Sequence, residues 1–181
     1  THVAFQMYDK ANYMFHNYFT MDPTIYIHDG KPYLSVPFEV PEKPVVGDTA
    51  IGVDLGERQL FVTSEGKSFS DKVYLGNKRK LRHNKRELQS KGTKSARRKL
   101  RKLRHRERNM TDDMCHRAAN ALVESTEASV IMMERLKGIK SKTTRTKDGF
   151  KRRNHNRRLS QVPMARFQET VRQKAQLAGK R

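Results

Sequence analysis

Half of residues 77–108 are lysine or arginine, 16 of 32, against two acids. So charged a segment cannot line a core, because burying an unpaired cation is prohibitive. It can fold only as an element with one narrow apolar edge and several solvated sides. Its apolar positions are spaced for that. Leu81 and Leu88 lie on one stripe, Ser90 to Thr93 interrupts with Gly92, and a second helix resumes near Ser95. There Leu100, Leu103, Met110, Met114, Ala118 and Ala121 recur at threes and fours, with Glu107 alone out of type. The spacing predicts a helical hairpin over about 76–126, with leucine and methionine packing inward and Lys and Arg turned outward.

The rest of the chain is charged unevenly. Residues 1–76 carry 6 basic against 10 acidic side chains, residues 109–134 one against five, and residues 135–181 sixteen against two, for a net +20 over 181 residues. Two basic blocks of this density exceed what solubility requires and point to a polyanionic partner, nucleic acid, reached through phosphate contacts. The side chains expected to make them are Lys78, Arg79, Lys80, Arg82, Lys85, Arg86, Arg97, Arg98, Arg101, Lys102 and Arg104 on the hairpin. Lys151, Arg152, Arg153, Arg157 and Arg158 are expected to join them from a polar loop over residues 141–158, ordered by nucleic acid or simply disordered. His83 and His105, inside the basic helices, suit phosphate or solvent contact better than catalysis. An anionic membrane is the competing partner. No stretch reaches the roughly 20 apolar residues of a spanning helix, and no signal peptide opens the chain, so a soluble, intracellular protein is expected. Only 35% of residues are hydrophobic and Trp is absent, which limits the core to one domain with or without an appendage. Cys115 is the sole cysteine, so neither an internal disulfide nor a cysteine-rich zinc site is expected.

Upstream, the aromatic segment to about Thr20 has no clean period. "TIYIHDGKPYLSVPFEV" then alternates on both sides of Asp29-Gly30, a dipeptide suited to a type I′ turn, and predicts a hairpin with Leu34, Val36, Phe38 and Val40 on one face. Pro37 removes a ladder donor and argues for an edge strand. "PEKPVVGD", residues 41–48, marks a boundary. The expected division is a β-rich piece over 1–46 and a larger domain over 47–181.

Beyond the boundary, "TAIGVDLGERQL" puts the carboxylate of Asp54 at the end of an apolar run and before a glycine. A second strand is expected from about Arg58 to Thr63 and a weaker third from Lys67 to Tyr74. Downstream, "ASVIMMERLKGIK" repeats the arrangement, Val130 to Met133 ending in Glu134. Asp54 could be a turn aspartate capping backbone N–H groups. If the two runs are instead neighbouring parallel strands, both acids emerge at one sheet edge, where α/β sheets place ligands. Two facing carboxylates repel unless a cation lies between them, and hard oxygen ligands near a phosphodiester favour Mg²⁺ or Mn²⁺. "LSQVPMARFQETVRQKAQLAG" closes the chain as an amphipathic helix, with Met164, Phe167, Val171, Ala175 and Ala178 on one stripe and Gly179 as its stop.

In motif order the chain resembles the TnpB (OrfB) proteins of bacterial and archaeal insertion sequences, relatives of the compact type V CRISPR effectors. "IGVDLGERQLFVTSEGK" is similar to that family's first catalytic motif and "VIMMERLKGIK" to its second. "SARRKLRKLRHRERNMTDDMCHRAANALVE" is similar to the helices between them, and "QETVRQKAQLAGK" to the helix before its later motifs. The resemblance covers residues 24–181. It implies an α/β, RNase H-like (RuvC-like) mixed sheet with an inserted basic helical hairpin, preceded by a small β-rich remnant of the family's wedge domain, which the hairpin Tyr26 to Val40 resembles. It also implies an RNA-guided DNA endonuclease whose metal-binding catalytic carboxylates are Asp54 and Glu134, with Mg²⁺ or Mn²⁺ as cofactor, guide RNA and target DNA as partners, and a prokaryotic, nucleoid-associated location.

The sequence departs from the family pattern in two places. The family completes its site with a third aspartate and carries a zinc ribbon of paired CxxC motifs; after Glu134 this sequence has only Asp148 and Glu169 as acids and no cysteine. The expectation is an incomplete site that cleaves poorly by itself. A nucleic-acid binder or repressor-like derivative without chemistry is the alternative.

Overall fold

The computed structural model describes residues 6–134 and 162–181. The chain divides into two compact units, Thr1–Glu42 and Lys43–Arg181.

In the first unit, α1 (Asp9–Asn17) buries no residue. The aromatic segment lacks a clean period because its rings meet singly rather than along a stripe: Phe15 sits edge-on to Phe38 at 5.0 Å and Tyr13 to Tyr18 at 6.2 Å. β2 (Thr24–His28) and β3 (Lys31–Ser35) form the expected antiparallel hairpin, with Asp29 and Gly30 at φ 49° and 75°. The single strand face expected for Leu34, Val36, Phe38 and Val40 does not form. Pro37 has no N–H to continue the ladder, and its carbonyl instead accepts from the Met21 N–H at 3.0 Å. The chain beyond it, β4 (Phe38–Glu39), pairs with β1 (Phe19–Thr20) in a separate two-stranded sheet.

The second unit is mixed α/β. Its four-stranded sheet has the order β7-β6-β5-β8. β5 (Ala50–Leu55), β6 (Phe61–Thr63) and β7 (Ser68–Phe69) run as an antiparallel meander, and β8 (Val130–Met133) joins β5 in parallel. Parallel neighbours need a long crossover. Here it contains α2 (Lys72–Lys91) and α3 (Lys94–Ser125). Ile51, Val53 and Leu55 alternate into the core, where they join Phe61, Met114, Leu122 and Phe167. Phe61 stacks on Phe167 of α4 (Met164–Ala178) at 5.7 Å. Fully buried Ala118 and Ala119 on α3, with Ala175 on α4, are small enough for close helix packing.

Two strand limits differ from expectation. The third strand stops at Phe69 because the Asp71 carboxylate accepts from the Tyr74 N–H at 2.8 Å and starts α2 there. The second strand begins at Phe61, since Gly56 to Leu60 turns back on itself, with the Gly56 N–H on the Leu60 carbonyl at 3.4 Å. Gly92, at φ 61°, ends α2 in the left-handed conformation, and Thr93 caps α3 by accepting from the Ala96 N–H at 3.2 Å. α4 ends at Gly179 as expected, but Thr170 rather than Ala178 completes its buried stripe. Beyond it Arg181 lies against β8, its N–H on the Ser129 carbonyl at 2.8 Å and its carbonyl accepting from the Ile131 N–H at 2.6 Å. No described helix is long and apolar enough to cross a membrane.

Candidate functional site

The parallel register of β5 and β8 pairs Ile51 with Ile131, Gly52 with Met132 and Val53 with Met133. The next residue on each side is Asp54 and Glu134. The two acids are therefore neighbours at the carboxyl ends of adjacent strands, which in a sheet lie ~4.8 Å apart. Because side chains alternate along β5, burying Ile51, Val53 and Leu55 leaves Asp54 exposed; Glu134 is exposed as well.

Among the described residues neither carboxylate accepts a hydrogen bond or forms an ion pair, so Asp54 is not serving as a turn cap. Glu134 is held through its backbone instead, its carbonyl accepting from the Gln168 side chain on α4 at 2.7 Å. On the β5 side, Gly52 and Ser64 bond mutually, Ser64 N–H to the Gly52 carbonyl at 2.8 Å and Gly52 N–H to Ser64 Oγ at 3.2 Å. Gly56 closes the turn after Asp54, where a Cβ would come within 3.0 Å of the Gln59 carbonyl. Two exposed carboxylates in register, without competing partners among the described residues, are a suitable donor pair for a hard divalent cation. No group of three His, Cys, Asp or Glu suited to a metal occurs among the described residues.

The hairpin cations fall into two kinds. Arg79, Lys80, Arg82, Arg86, Arg97, Arg98, Arg101, Lys102 and Arg104 are exposed. Lys78 and Lys85 are half-buried and engaged: Lys78 Nζ donates to the Tyr74 hydroxyl at 2.9 Å, and Lys85 Nζ to Glu107 at 2.5 Å. That ion pair accounts for the acid on the α3 stripe. Lys151, Arg152, Arg153, Arg157 and Arg158 lie outside the described residues.

The acids near the middle of α3 are ties rather than site groups. Asp113 holds Arg117 at 3.0 Å, Arg117 reaches Asp71 at 2.6 Å, and Asp112 holds Arg166 of α4 at 3.0 Å. Burial pushes the Asp71 carboxyl up, but the Tyr74 N–H and the Arg117 guanidinium outweigh it and hold the group below the usual carboxylate range. Burial drives the Cys115 thiol up to about 11, with Asp112 adding to the effect, so this cysteine is an inert core residue. Arg58, exposed on the turn after β5, lies in a net-acidic segment, so charge counting by segment does not single it out.

A family model described as OrfB_IS605, probable transposase, matches residues 33–143. No curated protein matches the chain. The matched span includes Asp54, both basic helices and Glu134, and exceeds half of the sequence. The chain belongs to the OrfB_IS605 family of probable transposases.

Proposed function

We propose that this transposon-associated protein carries the core of an RNA-guided, metal-dependent DNA endonuclease of the RuvC type. The observation that carries the reading is the register of β5 and β8, which makes Asp54 and Glu134 neighbours at one sheet edge. An antiparallel three-strand meander followed by a helical crossover to a parallel fourth strand supports an RNase H-like core over residues 47–181. Residues 1–46 serve as a wedge-like element that helps hold the guide.

Asp54 and Glu134 would hold Mg²⁺ or Mn²⁺, which supplies Lewis-acid polarisation of a phosphodiester and a more acidic water. The chain's own residues do the positioning. Exposed arginines on α2 and α3 neutralise phosphates of guide RNA and target DNA, and Gln168 fixes the backbone that carries Glu134. Such chemistry belongs in the prokaryotic cytoplasm, at the nucleoid. The test is Asp54→Ala: Mg²⁺-dependent cleavage of guide-matched DNA should fall by at least a hundredfold while nucleic-acid affinity changes less than about twofold, metal-site carboxylates acting on the reaction more than on phosphate contacts. Unchanged cleavage rejects the proposal.

A second reading is favoured by the run of exposed cations on the hairpin, which grips nucleic acid without any chemistry. It predicts tight, salt-sensitive binding and no metal-dependent nicking by the wild-type protein.

A further inference from the structure

The turn that follows Asp54 borders a cavity of about 410 Å³, within the range of small-ligand pockets. Its walls are the Gly56–Leu60 turn, the start of α2, and Met114 on α3. The buried lining is mostly apolar: Leu60 is 8% exposed and Met114 2%, Leu75 and Pro163 extend it, and the hydroxyl of buried Tyr74 is taken up by Lys78. The rim is basic, with Arg58 on the turn and Lys78, Arg79 and Arg82 on successive turns of α2. Arg58 and Arg79 are exposed and form no ion pair among the described residues. Two acids also line it. The Asp71 charge is taken up by Arg117, and Glu57 has an interaction of its own.

A mostly apolar floor beneath a cationic rim matches one chemical unit, a flat base joined to phosphates. We propose that this cavity receives one unstacked nucleotide of a single strand, its base on the floor by Leu60 and Leu75 and its flanking phosphates on Arg58 and Arg79. A duplex cannot enter because its bases are stacked and paired. The pocket rests on the nucleic-acid reading above and adds to it a seat for one unpaired base on the turn that follows β5.

The test compares the full chain's affinity, by fluorescence anisotropy, for deoxyuridine strands of about ten nucleotides, uridine strands of equal length, abasic strands and a duplex. The base-bearing single strand should bind about tenfold tighter than the abasic one. Whichever sugar binds tighter identifies the source of the strand. Leu75→Trp, which fills the cavity, should erase the difference between base-bearing and abasic strands while leaving duplex affinity unchanged. Arg79→Ala, at an exposed position that leaves the fold intact, should weaken the base-bearing strand more than the abasic one. Equal affinity of the wild type for base-bearing and abasic strands, with the duplex still bound, overturns the pocket and spares the basic hairpin. Failure to bind any of these probes overturns both.

Discussion

Two aspartates, Asp71 and Asp54, differ in what holds their carboxylates. Asp71, its side chain 10% exposed, is held by the Tyr74 N–H and by Arg117. Asp54 is exposed and holds nothing among the described residues. Asp71→Ala should therefore destabilise the protein by about 2 kcal/mol, combining a lost helix cap with a broken charge-assisted bond. Asp71→Asn retains the cap and should lose about half of that. Because the folded carboxyl lies below its ordinary value, the charge contribution is complete above about pH 4 and is lost as pH falls through the lowered folded value. The stability gap between wild type and Asp71→Asn in urea denaturation should accordingly be widest near neutrality and close in acid. Asp54→Ala should shift stability by less than about 0.5 kcal/mol, as an exposed side chain without partners among the described residues should. A loss above about 1 kcal/mol would mark Asp54 as a structural cap after all. The strand-end position of Asp54 was legible because alternation fixes which side chains face the core. Asp71 was not, because a run continuing through Val73 and Tyr74 suits a strand until the cap is recognised.

Among the elements, the helical hairpin was the most legible, and its one irregularity repays attention. Charge density left a helix with a narrow stripe as the only solution, and the glycine interruption fixed the turn at Gly92. Less legible was the change along α3. Its first half buries few side chains, whereas from Met114 onward Cys115, Ala118, Ala119, Leu122 and Val123 are all buried. A periodic stripe cannot forecast that widening, because it arises where the sheet and α4 reach the helix. Pro37 had the opposite effect, its missing N–H ending a strand that alternation alone would have continued. At the irregular stripe position, Lys85 and Glu107 are 28% and 29% exposed, so solvent screens the pair only partly. Replacing both with leucine should be neutral or stabilising by up to about 1 kcal/mol, since it continues the Leu and Met packing of α2 on α3. Glu107→Leu alone should cost about 1 kcal/mol by leaving the lysine without its partner. Thermal unfolding of the single and double variants measures the difference, and a double variant worse than the single one would show that the pair fixes the hairpin.

For the whole molecule the governing quantity is the net +20, which sets the field in which every element folds. Residues 77–108 confine sixteen cations to adjoining helices, where Lys85 pairs with Glu107 and Arg108 with Asp112 at 3.9 Å among the described residues. Repulsion among the rest opposes compaction, and it is screened as the Debye length falls from ~10 Å at 0.1 M salt to ~3 Å at 1 M. Melting temperature should therefore rise with sodium chloride over that range by a few degrees, the shift expected from about 1 kcal/mol in a chain of this size. A polyanionic strand that binds the folded hairpin, as proposed, would do more than screen. At a hundred times its Kd it should add about 2.7 kcal/mol, and the gain should shrink as salt competes for the same cations. The two responses separate two origins of stability. Were the ties through Arg117 and Arg166 dominant, chloride would weaken them and lower the melting temperature. A rise with chloride, together with a larger rise on adding a single strand at low salt, identifies the cationic hairpin as a surface folded against its own charge and completed by a phosphate chain.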